Sequence, residues 1–482
     1  MHRLLLQFEA LLGADHVLTG EAARPYLTDW RRMCTGTAIA VLRPASTHQV
    51  AYIVRLCRQA GVAVVPQGGN TGQVAAATPN GDGNSVVISL RRLDRIRAID
   101  TDNDTMTVEA GCILQNVQHA ANEADRLFPL SLGAEGSCTI GGNLATNAGG
   151  TQVLRYGNTR DLALGLEVVT AQGEIWHGIH GLRKNNTGYD LRDLYIGSEG
   201  TLGIITAATL KLFPRPKAYQ TSLLALGSLP DAVSLLREAR DQLGADLTGF
   251  EIMSDACLTL VVETDLQQCL PFATRPAGAQ WYVLIETSTS QNDASAHNSH
   301  VSFLEQTMQA GILIDAVIAS SQSQRNAFWT LRESITLALA KSAYCIKHDI
   351  SLPVSTIPAF VKTMDTAIEK RYPGARLMIF GHLGDGNLHY NLLGPATATR
   401  AQVAEQEPGI QLLVHDAVTA AGGSISAEQG IGSRRIDDML RYKSGTELEL
   451  MRRIKHALDP NNIMNPGKIL ESSATATPSL DS

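Results

Sequence analysis

Two histidines seven positions apart, His382 and His389, end the segment HLGDGNLH. On one straight strand this odd separation would place them on opposite faces. The intervening GDGN is a strong turn signal, however, and apolar strand-like sequence flanks it on both sides. A hairpin would therefore bring the two imidazoles together, and Asn391 would share the face of His389.

A third metal donor is offered by Glu428 in the segment SAEQG. Two histidines and one carboxylate leave an open coordination position, which is typical of a catalytic rather than a structural metal site. Such ligands suit Zn²⁺, with Mn²⁺, Co²⁺ or Fe²⁺ as alternatives. A histidine pair alone is more often a structural or surface feature, so these residues are candidate ligands.

Glycine-rich sequence occurs in three segments of the first half of the chain, residues 67–72, 132–150 and 197–203. Glycine lets backbone amides approach a ligand closely, so such loops suit an anion wrapped by N–H groups. One loop of this kind is equally well a tight turn. Three in one domain favour a ligand, because glycine costs conformational entropy on folding. None contains G-x-G-x-x-G between a strand and a helix, which argues against a nicotinamide-binding Rossmann unit.

These segments resemble the FAD-binding domain of the vanillyl-alcohol oxidase type. The resemblance lies in residues 64–72 (VVPQGGNTG), 141–150 (GGNLATNAGG), 197–206 (GSEGTLGIIT) and 465–468 (NPGK), and it covers nearly the whole chain. Within that superfamily the chain is similar to the FAD-linked D-2-hydroxy acid dehydrogenases. That branch includes D-lactate dehydrogenases, the glycolate oxidase flavin subunit and D-2-hydroxyglutarate dehydrogenases.

The resemblance implies an FAD lying between two α/β subdomains, with its pyrophosphate on the amides of residues 68–72. Some relatives attach FAD through a histidine, but the loop here has Asn70 and the three segments contain no histidine, so non-covalent FAD is expected. The residues expected to bind the cofactor are Pro66, Gln67, Gly68, Gly69, Asn70, Thr71, Gly72, Gly133, Gly136, Thr139, Gly141, Gly142, Asn147, Gly149, Gly150, Glu199, Gly200, Ile205 and Asn465.

Residues for acid recognition are expected in the second half of the chain. Arg332 and Thr336 are four positions apart and share a helical face. Residues 345–353 are typical of a strand that places Lys347 on one side and a buried structural His348 on the other. The resemblance implies that Arg332, Thr336, Lys347 and Asn391 line the carboxylates and hydroxyl of the acid. Without it, Arg332 and Lys347 would be interpreted as ordinary solvated charges.

The implied reaction is oxidation of a D-2-hydroxy acid to a 2-oxo acid, with Asn391, Lys347 and residue 429 as catalytic residues. The family usually has a histidine, the expected proton acceptor, where this chain has Gln429, and glutamine does not titrate near neutral pH. Three explanations stay open. The metal acidifies the hydroxyl enough for water to take the proton, which is the working hypothesis; His348 substitutes; or the enzyme is slow or retuned to another acid.

Two basic residues, Arg332 and Lys347, favour a dicarboxylic acid such as D-2-hydroxyglutarate over D-lactate or glycolate. A non-catalytic flavin-binding subunit of a larger complex is the alternative of a different class. A dead site has no physical need for all of its candidate ligands and basic residues, which argues against that alternative. Iron–sulfur and haem motifs are absent from the sequence, so an electron-transfer flavoprotein, a quinone or a cytochrome is expected as electron acceptor. A homodimer is an open alternative to a monomer.

The helices and strands predicted to position these residues indicate an α+β fold. It comprises a two-subdomain FAD-binding domain (1–215), an α+β substrate and metal domain (216–424), a C-terminal helical segment returning to the FAD and metal site (425–470) and a disordered tail (471–482). Pro214 and Pro216 mark the first boundary. Ser46 and Gln49 form a capping-box pattern before a helix to residue 60 that buries Val50, Ile53, Val54 and Cys57. Strands are predicted at residues 38–41, 62–65, 85–90, 105–108, 164–170 and 203–212, and a helix at 445–457.

The bulk composition excludes several classes of partner. The 482 residues are 44% hydrophobic and 18% charged with a net charge of −7, and no basic stripe is present, so nucleic acid and anionic membranes are poor candidates. Aromatic residues make up only 5%, which argues against a base-stacking surface. Seven scattered cysteines form no CxxC pair, and neither a signal peptide nor a spanning segment is evident. The expected location is the cytoplasm.

Overall fold

The computed structural model describes residues 2–264, 270–342 and 344–472. Cys269 and residues 473–482 of the predicted tail lie outside the described residues. The described chain combines helices with mainly antiparallel sheets, which confirms the predicted α+β class. Within these ranges, no helix is both long and apolar enough to cross a lipid bilayer.

The first half of the chain forms two main sheets, each packed in its own apolar core. Its strands are β1 (Val17–Leu18), β2 (Ala40–Leu42), β3 (Ala63–Gln67), β4 (Ser85–Ser89), β5 (Ile96–Asp100), β6 (Thr105–Glu109), β7 (Arg126–Leu127), β8 (Ala163–Thr170), β9 (Ile175–Gly178), β10 (Gly203–Lys211) and β11 (Phe213–Pro214). Its helices are α1 (His2–Leu12), α2 (Thr47–Ala60), α3 (Leu114–Glu123), α4 (Ile140–Thr146), α5 (Val153–Tyr156), α6 (Thr159–Leu162) and α7 (Arg192–Tyr195). The sheet orders are β1-β2-β4-β3, in which β2, β4 and β3 are parallel, and the antiparallel β5-β6-β10-β8-β9.

Helix α2 forms where its capping residues and apolar spacing predict it. The Ser46 hydroxyl accepts the N–H of Gln49 at 3.2 Å, and the Gln49 side chain accepts the N–H of Ala45 at 2.7 Å. Gly61 ends the helix in the left-handed conformation, with φ 64°. The predicted buried face is confirmed, because four side chains are fully buried: Val50, Ile53, Val54 and Cys57.

The second half is built on one eight-stranded sheet of order β15-β12-β14-β13-β18-β19-β16, with β17 also paired to β19. Its strands are β12 (Ala218–Leu226), β13 (Leu247–Ser254), β14 (Trp281–Thr289), β15 (Asp315–Ile318), β16 (Cys345–Ile346), β17 (Asp349–Ser351), β18 (Arg376–His382) and β19 (Asn387–Leu393). The helices are α8 (Leu229–Leu243), α9 (Asp255–Glu263), α10 (Asp293–Gln309), α11 (Gln322–Lys341), α12 (Ile357–Arg371), α13 (Arg400–Ala420), α14 (Ile436–Tyr442) and α15 (Gly445–Leu458). Helices α8, α10, α12 and α13 share one core with the sheet, and α9 and α11 share another.

The prediction of one continuous strand over residues 345–353 is wrong. The segment divides into β16 and β17, with residues 347 and 348 in neither. The N–H of His348 donates to the side-chain oxygen of Asn391 at 3.2 Å instead of joining a ladder. His348 itself is buried, as predicted, and its Nδ1 contacts the Tyr390 carbonyl at 2.8 Å.

The C-terminal segment returns to the first sheet. The N–H of Val64 donates to the Ile463 carbonyl at 2.8 Å, and the N–H of Asn465 donates to the Val64 carbonyl at 2.8 Å. The ammonium of Lys455 on α15 donates to the carbonyls of Thr201 and Met464 at 2.8 and 2.7 Å. These bonds attach the segment to β3 and to the third glycine-rich segment.

Candidate active site

The two histidines lie at the turn end of a hairpin, as their spacing predicts. β18 and β19 pair antiparallel, with His382 opposite Asn387 and Phe380 opposite His389. Gly386 in the turn has φ 82°, a conformation that favours glycine. The imidazole centroids are 5.8 Å apart.

Glu428 completes a three-residue cluster with this hairpin. Donor atoms of His382, His389 and Glu428 all lie within 4.8 Å of one another. The loop that carries Glu428 is held by Asp349, whose Oδ2 accepts the N–H of Glu428 at 3.0 Å and that of Gln429 at 2.9 Å. Burial, together with the charge of Asp349, raises the pKa of Glu428 to about 7. A cation would relieve this repulsion.

A buried carboxylate stands behind each imidazole. Glu251 on β13 lies 2.6 Å from Nδ1 of His382, and Asp349 on β17 lies 3.7 Å from Nδ1 of His389. Such contacts orient an imidazole and leave Nε2 for a metal. Burial opposes a charge on His382, but the Glu251 carboxylate outweighs it and raises the pKa of His382. The same negative charge favours a divalent cation, so the donor set fits one.

Arg332 reaches the cluster through Glu251. Its Nε and Nη2 lie 3.0 and 2.8 Å from Oε2 of Glu251, and its guanidinium stacks 4.8 Å from the Phe380 ring centre. Only 6% of Arg332 is exposed, so its charge is already neutralised by a buried partner. Thr336 lies one turn further along α11 and is half-buried.

Lys347 and Gln429 line one cavity of about 180 Å³, and Arg332 is not among its described lining residues. Lys347 therefore lies beside Gln429. Arg332 instead lies near His382, to which Glu251 links it. Asn391 is buried, and its Oδ1 is occupied by the N–H of His348.

His348 is placed poorly to act as a base. Its ring is almost fully buried, and burial lowers its pKa to about 3. Its Nε2 has no hydrogen-bond partner among the described residues and its ring lies 5.7 Å from that of His415. It does not line the cavity shared by Lys347 and Gln429.

The glycine-rich segments form a closely packed cradle between the two sheets of the first half. A Cβ on Gly69 would lie 2.2 Å from the Ser137 carbonyl oxygen, and one on Gly68 would lie 2.3 Å from the Thr139 hydroxyl. That hydroxyl is buried without a hydrogen-bond partner among the described residues. A buried unpartnered hydroxyl beside glycine backbone fits a bound phosphate-bearing cofactor.

The structure divides the predicted cofactor residues into two groups. One group lines a cavity between the sheets: Pro66, Gln67, Gly68, Gly141, Gly142, Glu199, Gly200 and Ile205. The other group lies outside this lining: Gly69, Asn70, Thr71, Gly72, Gly133, Gly136, Thr139, Asn147, Gly149, Gly150 and Asn465.

Several polar side chains of the cradle tie segments together. Gln67 donates to the carbonyls of Tyr26 and Ala77, both at 2.9 Å. Asn465 donates to the Glu199 carbonyl at 2.8 Å. The Glu199 carboxylate accepts the N–H groups of residues 431 and 432 at 2.8 and 2.7 Å. The polar side chains of Gln67, Asn465 and Glu199 therefore hold the cradle and the C-terminal segment in register.

The second glycine-rich segment abuts the three-residue cluster. A Cβ on Gly149 would lie 3.4 Å from Oε2 of Glu428, which is ordinary contact distance. A cavity of about 510 Å³ is lined by Asn147 and Glu199 on one side and by Glu428 on the other. The candidate metal site and the predicted cofactor segments therefore meet at this junction.

Two buried carboxylates, Glu251 and Asp349, were missed by the sequence analysis. Glu251 is the one charged residue of the buried strand β13, which is costly unless it is paired, and this was the available signal. Asp349 follows His348 directly, but nothing local indicates that it spans the hairpin and the loop of Glu428.

Comparisons with known proteins agree on the family. A model described as the FAD binding domain matches residues 38–178, and one described as the C-terminal domain of FAD linked oxidases matches residues 215–469. A mitochondrial D-2-hydroxyglutarate dehydrogenase of Bos taurus is 38% identical over 471 residues, covering 98% of this chain and 84% of that protein. A D-2-hydroxyglutarate dehydrogenase of Xanthomonas citri pv. viticola is 40% identical over 449 residues, covering 93% and 92%.

Among solved structures, p-cresol methylhydroxylase with bound substrate matches with a TM-score of 0.77 and 16% identity, covering 98% of this chain and 97% of that one. At this identity the likeness concerns the fold alone. It confirms the predicted flavoprotein fold of the vanillyl-alcohol oxidase type.

Proposed function

The chain belongs to the FAD-linked oxidases, as an FAD-dependent dehydrogenase of the D-2-hydroxyglutarate dehydrogenase family, and we propose that it oxidises D-2-hydroxyglutarate to the 2-oxo acid with the help of a divalent metal. The observation that carries the proposal is the adjacency of the cofactor cradle and the metal-donor cluster: Oε2 of Glu428 lies 3.4 Å from the position that a Cβ on Gly149 would take, and Asn147, Glu199 and Glu428 line one cavity. When bound, FAD supplies the two-electron acceptor and the cation supplies a Lewis acid for the 2-hydroxyl group.

In this proposal His382, His389 and Glu428 hold the cation. Glu251 and Asp349 fix the imidazoles with Nε2 facing inward, and their charges favour a cation at the site. Zn²⁺ is the proposed metal because imidazole and carboxylate donors with an open position suit it, and Mn²⁺, Co²⁺ and Fe²⁺ remain alternatives.

The remaining polar residues bind and orient the acid. Lys347 offers an ammonium group to a carboxylate, and Asn391 retains its Nδ2 group as a donor because only its Oδ1 is occupied by His348. Arg332 and Thr336 support the site from α11. Arg332 is ion-paired with Glu251, which in turn contacts His382. The main contribution of Arg332 is therefore to help orient His382.

Gln429 cannot accept the hydroxyl proton near neutral pH. The burial of His348 and its low pKa support water in that role over His348. A cation held by His382, His389 and Glu428 would lower the pKa of the hydroxyl, so a solvent molecule beside Gln429 would suffice as the proton acceptor.

The proposal extends to the surroundings of the enzyme. FAD is held without a covalent bond, and an electron-transfer flavoprotein, a quinone or a cytochrome takes the electrons. The six described cysteines are all free thiols, which supports a cytoplasmic location. A homodimer is proposed without a specific interface.

A substrate panel tests the proposal. The purified FAD- and metal-loaded protein is mixed with D-2-hydroxyglutarate, L-2-hydroxyglutarate, D-malate, D-lactate and glycolate, and kcat/KM is measured with an artificial electron acceptor. The highest value is expected for D-2-hydroxyglutarate, with little activity toward its L-enantiomer. A preference for D-lactate or glycolate would replace the substrate, and no turnover with any acid would favour the non-catalytic subunit.

A further inference from the structure

A second charged site adjoins the metal-donor cluster, on the other side of the loop that carries Glu428. It is the cavity of about 180 Å³ that contains Lys347 and Gln429. Its other basic lining residues come from distant parts of the chain, namely Arg31 from the N-terminal region and Arg434 and Arg435 from the C-terminal segment. We call it the basic cavity.

The carboxylates that line the basic cavity already have partners. Glu407 accepts hydrogen bonds from the Tyr344 hydroxyl and from Gln411, and Asp438 lies 3.4 Å from Nδ1 of His415. The guanidinium of Arg435 donates to the Ile425 carbonyl at 2.6 Å. The two carboxylates keep their charges and Glu407 attracts Arg31, but four basic lining residues outnumber them, so the cavity keeps a net positive charge.

Three cations of the basic cavity lack such partners. Among the described residues, Arg31, Lys347 and Arg434 make no ion pair within 4.0 Å, and the guanidinium of Arg434 donates a hydrogen bond to the sulfur of Met33. Burial lowers the pKa of Arg31, and the charge of Arg434 lowers it further. Burial likewise lowers the pKa of Lys347, and the charge of Arg31 adds to this effect. Like charges around an enclosed space cost free energy, which a bound anion would offset.

Gln429 connects the basic cavity to the candidate metal. It lines the cavity and directly follows the metal donor Glu428, and Asp349 fixes both residues through their N–H groups. An acid that was bound with its hydroxyl end at the cation and extended past Gln429 would point its other end toward the three basic groups.

We propose that Arg31 and Arg434, together with Lys347, bind the second carboxylate of a dicarboxylic 2-hydroxy acid. This inference rests on the proposed function and deepens it, because it assigns the preference for a dicarboxylate to two arginines outside the segments that carried the family resemblance. It also gives Arg332 a different part, since the charge of Arg332 is neutralised by Glu251 while those of Arg31 and Arg434 are not. Guanidinium forks suit a carboxylate because they bind it bidentately.

Binding of a dicarboxylate that cannot be oxidised separates this inference from the proposed function. Glutarate binding to the FAD-loaded protein is measured by calorimetry for the wild type and for Arg31→Gln, Arg434→Gln and Arg434→Lys, with butyrate as the monocarboxylate probe. Loss of one charge-assisted pair is expected to weaken glutarate binding about 10- to 100-fold, and Arg434→Lys is expected to lose less. Arg32→Gln is the matched control because Arg32 neighbours Arg31 but is exposed and does not line the cavity.

The outcomes distinguish the two proposals. Weakened glutarate binding in the Arg31 and Arg434 variants but not in Arg32→Gln, with FAD content and Tm retained, supports the inference even if D-2-hydroxyglutarate is not turned over. Unchanged glutarate affinity in both variants overturns it, even if the wild type oxidises D-2-hydroxyglutarate. An equal loss for glutarate and butyrate also overturns it, because the second carboxylate would then not be what the arginines bind.

Discussion

The two sides of the loop at residues 428–429 carry opposite excess charge. On one side, the three carboxylates of Glu428, Glu251 and Asp349 outnumber the single arginine, Arg332, and face two imidazoles. On the other side, Arg31, Lys347 and Arg434 face a cavity without ion-pair partners in the described chain. One side is complementary to a cation and the other to an anion. A short acid that carries a hydroxyl at one end and a second carboxylate at the other matches both.

The two sides also differ in how they are built. The acidic side lies on paired strands, and Asp349 accepts hydrogen bonds from Asn387, the first residue of β19, and from the loop of Glu428. The basic side is assembled from the N-terminal region, the segment between β16 and β17, and the residues just before α14. Metal ligands need fixed geometry, whereas a carboxylate tolerates several arrangements of basic groups.

The largest expected effect on the acidic side comes from removing a metal donor. We expect His389→Ala to lower metal content to background and to reduce kcat/KM by about 1,000-fold or more, because two donors do not hold a catalytic cation and the Lewis acid is lost. The measurement is metal analysis of the purified protein alongside turnover. His119→Ala, at an exposed position, is the control and should keep both values. Normal activity in a metal-free His389→Ala protein would contradict the account.

Removing a carboxylate that orients a metal donor should weaken metal binding without abolishing it. We expect Glu251→Gln to lower metal affinity about 10- to 100-fold, because the imidazole of His382 loses its oriented partner. It should also lower stability by about 3 kcal/mol, because Arg332 would be buried without a counter-charge. Competition with a metal chelator gives the affinity, and denaturant unfolding gives the stability.

The same sheet offers a matched control for that variant. Glu286 is equally buried and pairs with Arg325 at 2.7 Å, but it is not among the metal donors. Glu286→Gln should therefore lose stability to a similar degree while keeping metal affinity. Equal losses of metal affinity in both variants would show that Glu251 acts only through folding.

A third buried carboxylate, Glu199, accepts backbone N–H groups. It tests how burial affects the pKa of a carboxylate that is not a candidate metal donor. Burial raises its pKa from 4.5 to about 7, so folding favours its protonated form. The stability it contributes is complete below pH 4.5 and is lost as the pH rises to 7. We expect the fall in unfolding free energy between pH 5 and pH 8 to be about 1 to 3 kcal/mol smaller in Glu199→Gln than in the wild type. The exposed control Glu123→Gln should keep the wild-type fall, and an unchanged fall in Glu199→Gln would refute the prediction.

The smallest effect is expected at the boundary between the two sides. If water accepts the proton, Gln429→His should leave kcat and its pH profile within about threefold of the wild type. The basic groups around the cavity would also lower the pKa of the new histidine. A large gain in kcat with a new titration near 6.5 would show that the wild type lacks an effective base.

Local patterns in the sequence predict a large part of this arrangement. Ser46 and Gln49 predict the start of α2, and the GDGN turn predicts the hairpin that brings His382 and His389 together. The glycine-rich segments predict a cradle because close backbone approach excludes a Cβ, as at Gly69. Each of these features depends on residues near one another in the chain.

Local sequence patterns do not predict features that depend on contacts between residues far apart in the chain. Glu251 is 131 positions from His382 and 81 positions from Arg332, so only the folded sheet reveals that one carboxylate serves both. The interruption between β16 and β17 arises from the Asn391 side chain, 43 positions away. Arg31 and Arg434 are more than 400 positions apart and meet only because the C-terminal segment returns to the first domain.

The most direct test of the account is whether flavin reduction by the acid needs the metal. The FAD-loaded protein, with its metal content measured, is mixed anaerobically with D-2-hydroxyglutarate while the visible flavin band is recorded. We predict rapid bleaching in the metal-replete protein, none after chelation at unchanged FAD content, and recovery on adding Zn²⁺. Bleaching at the same rate in metal-free protein would contradict the central claim that the cluster of His382, His389 and Glu428 serves catalysis through a bound cation.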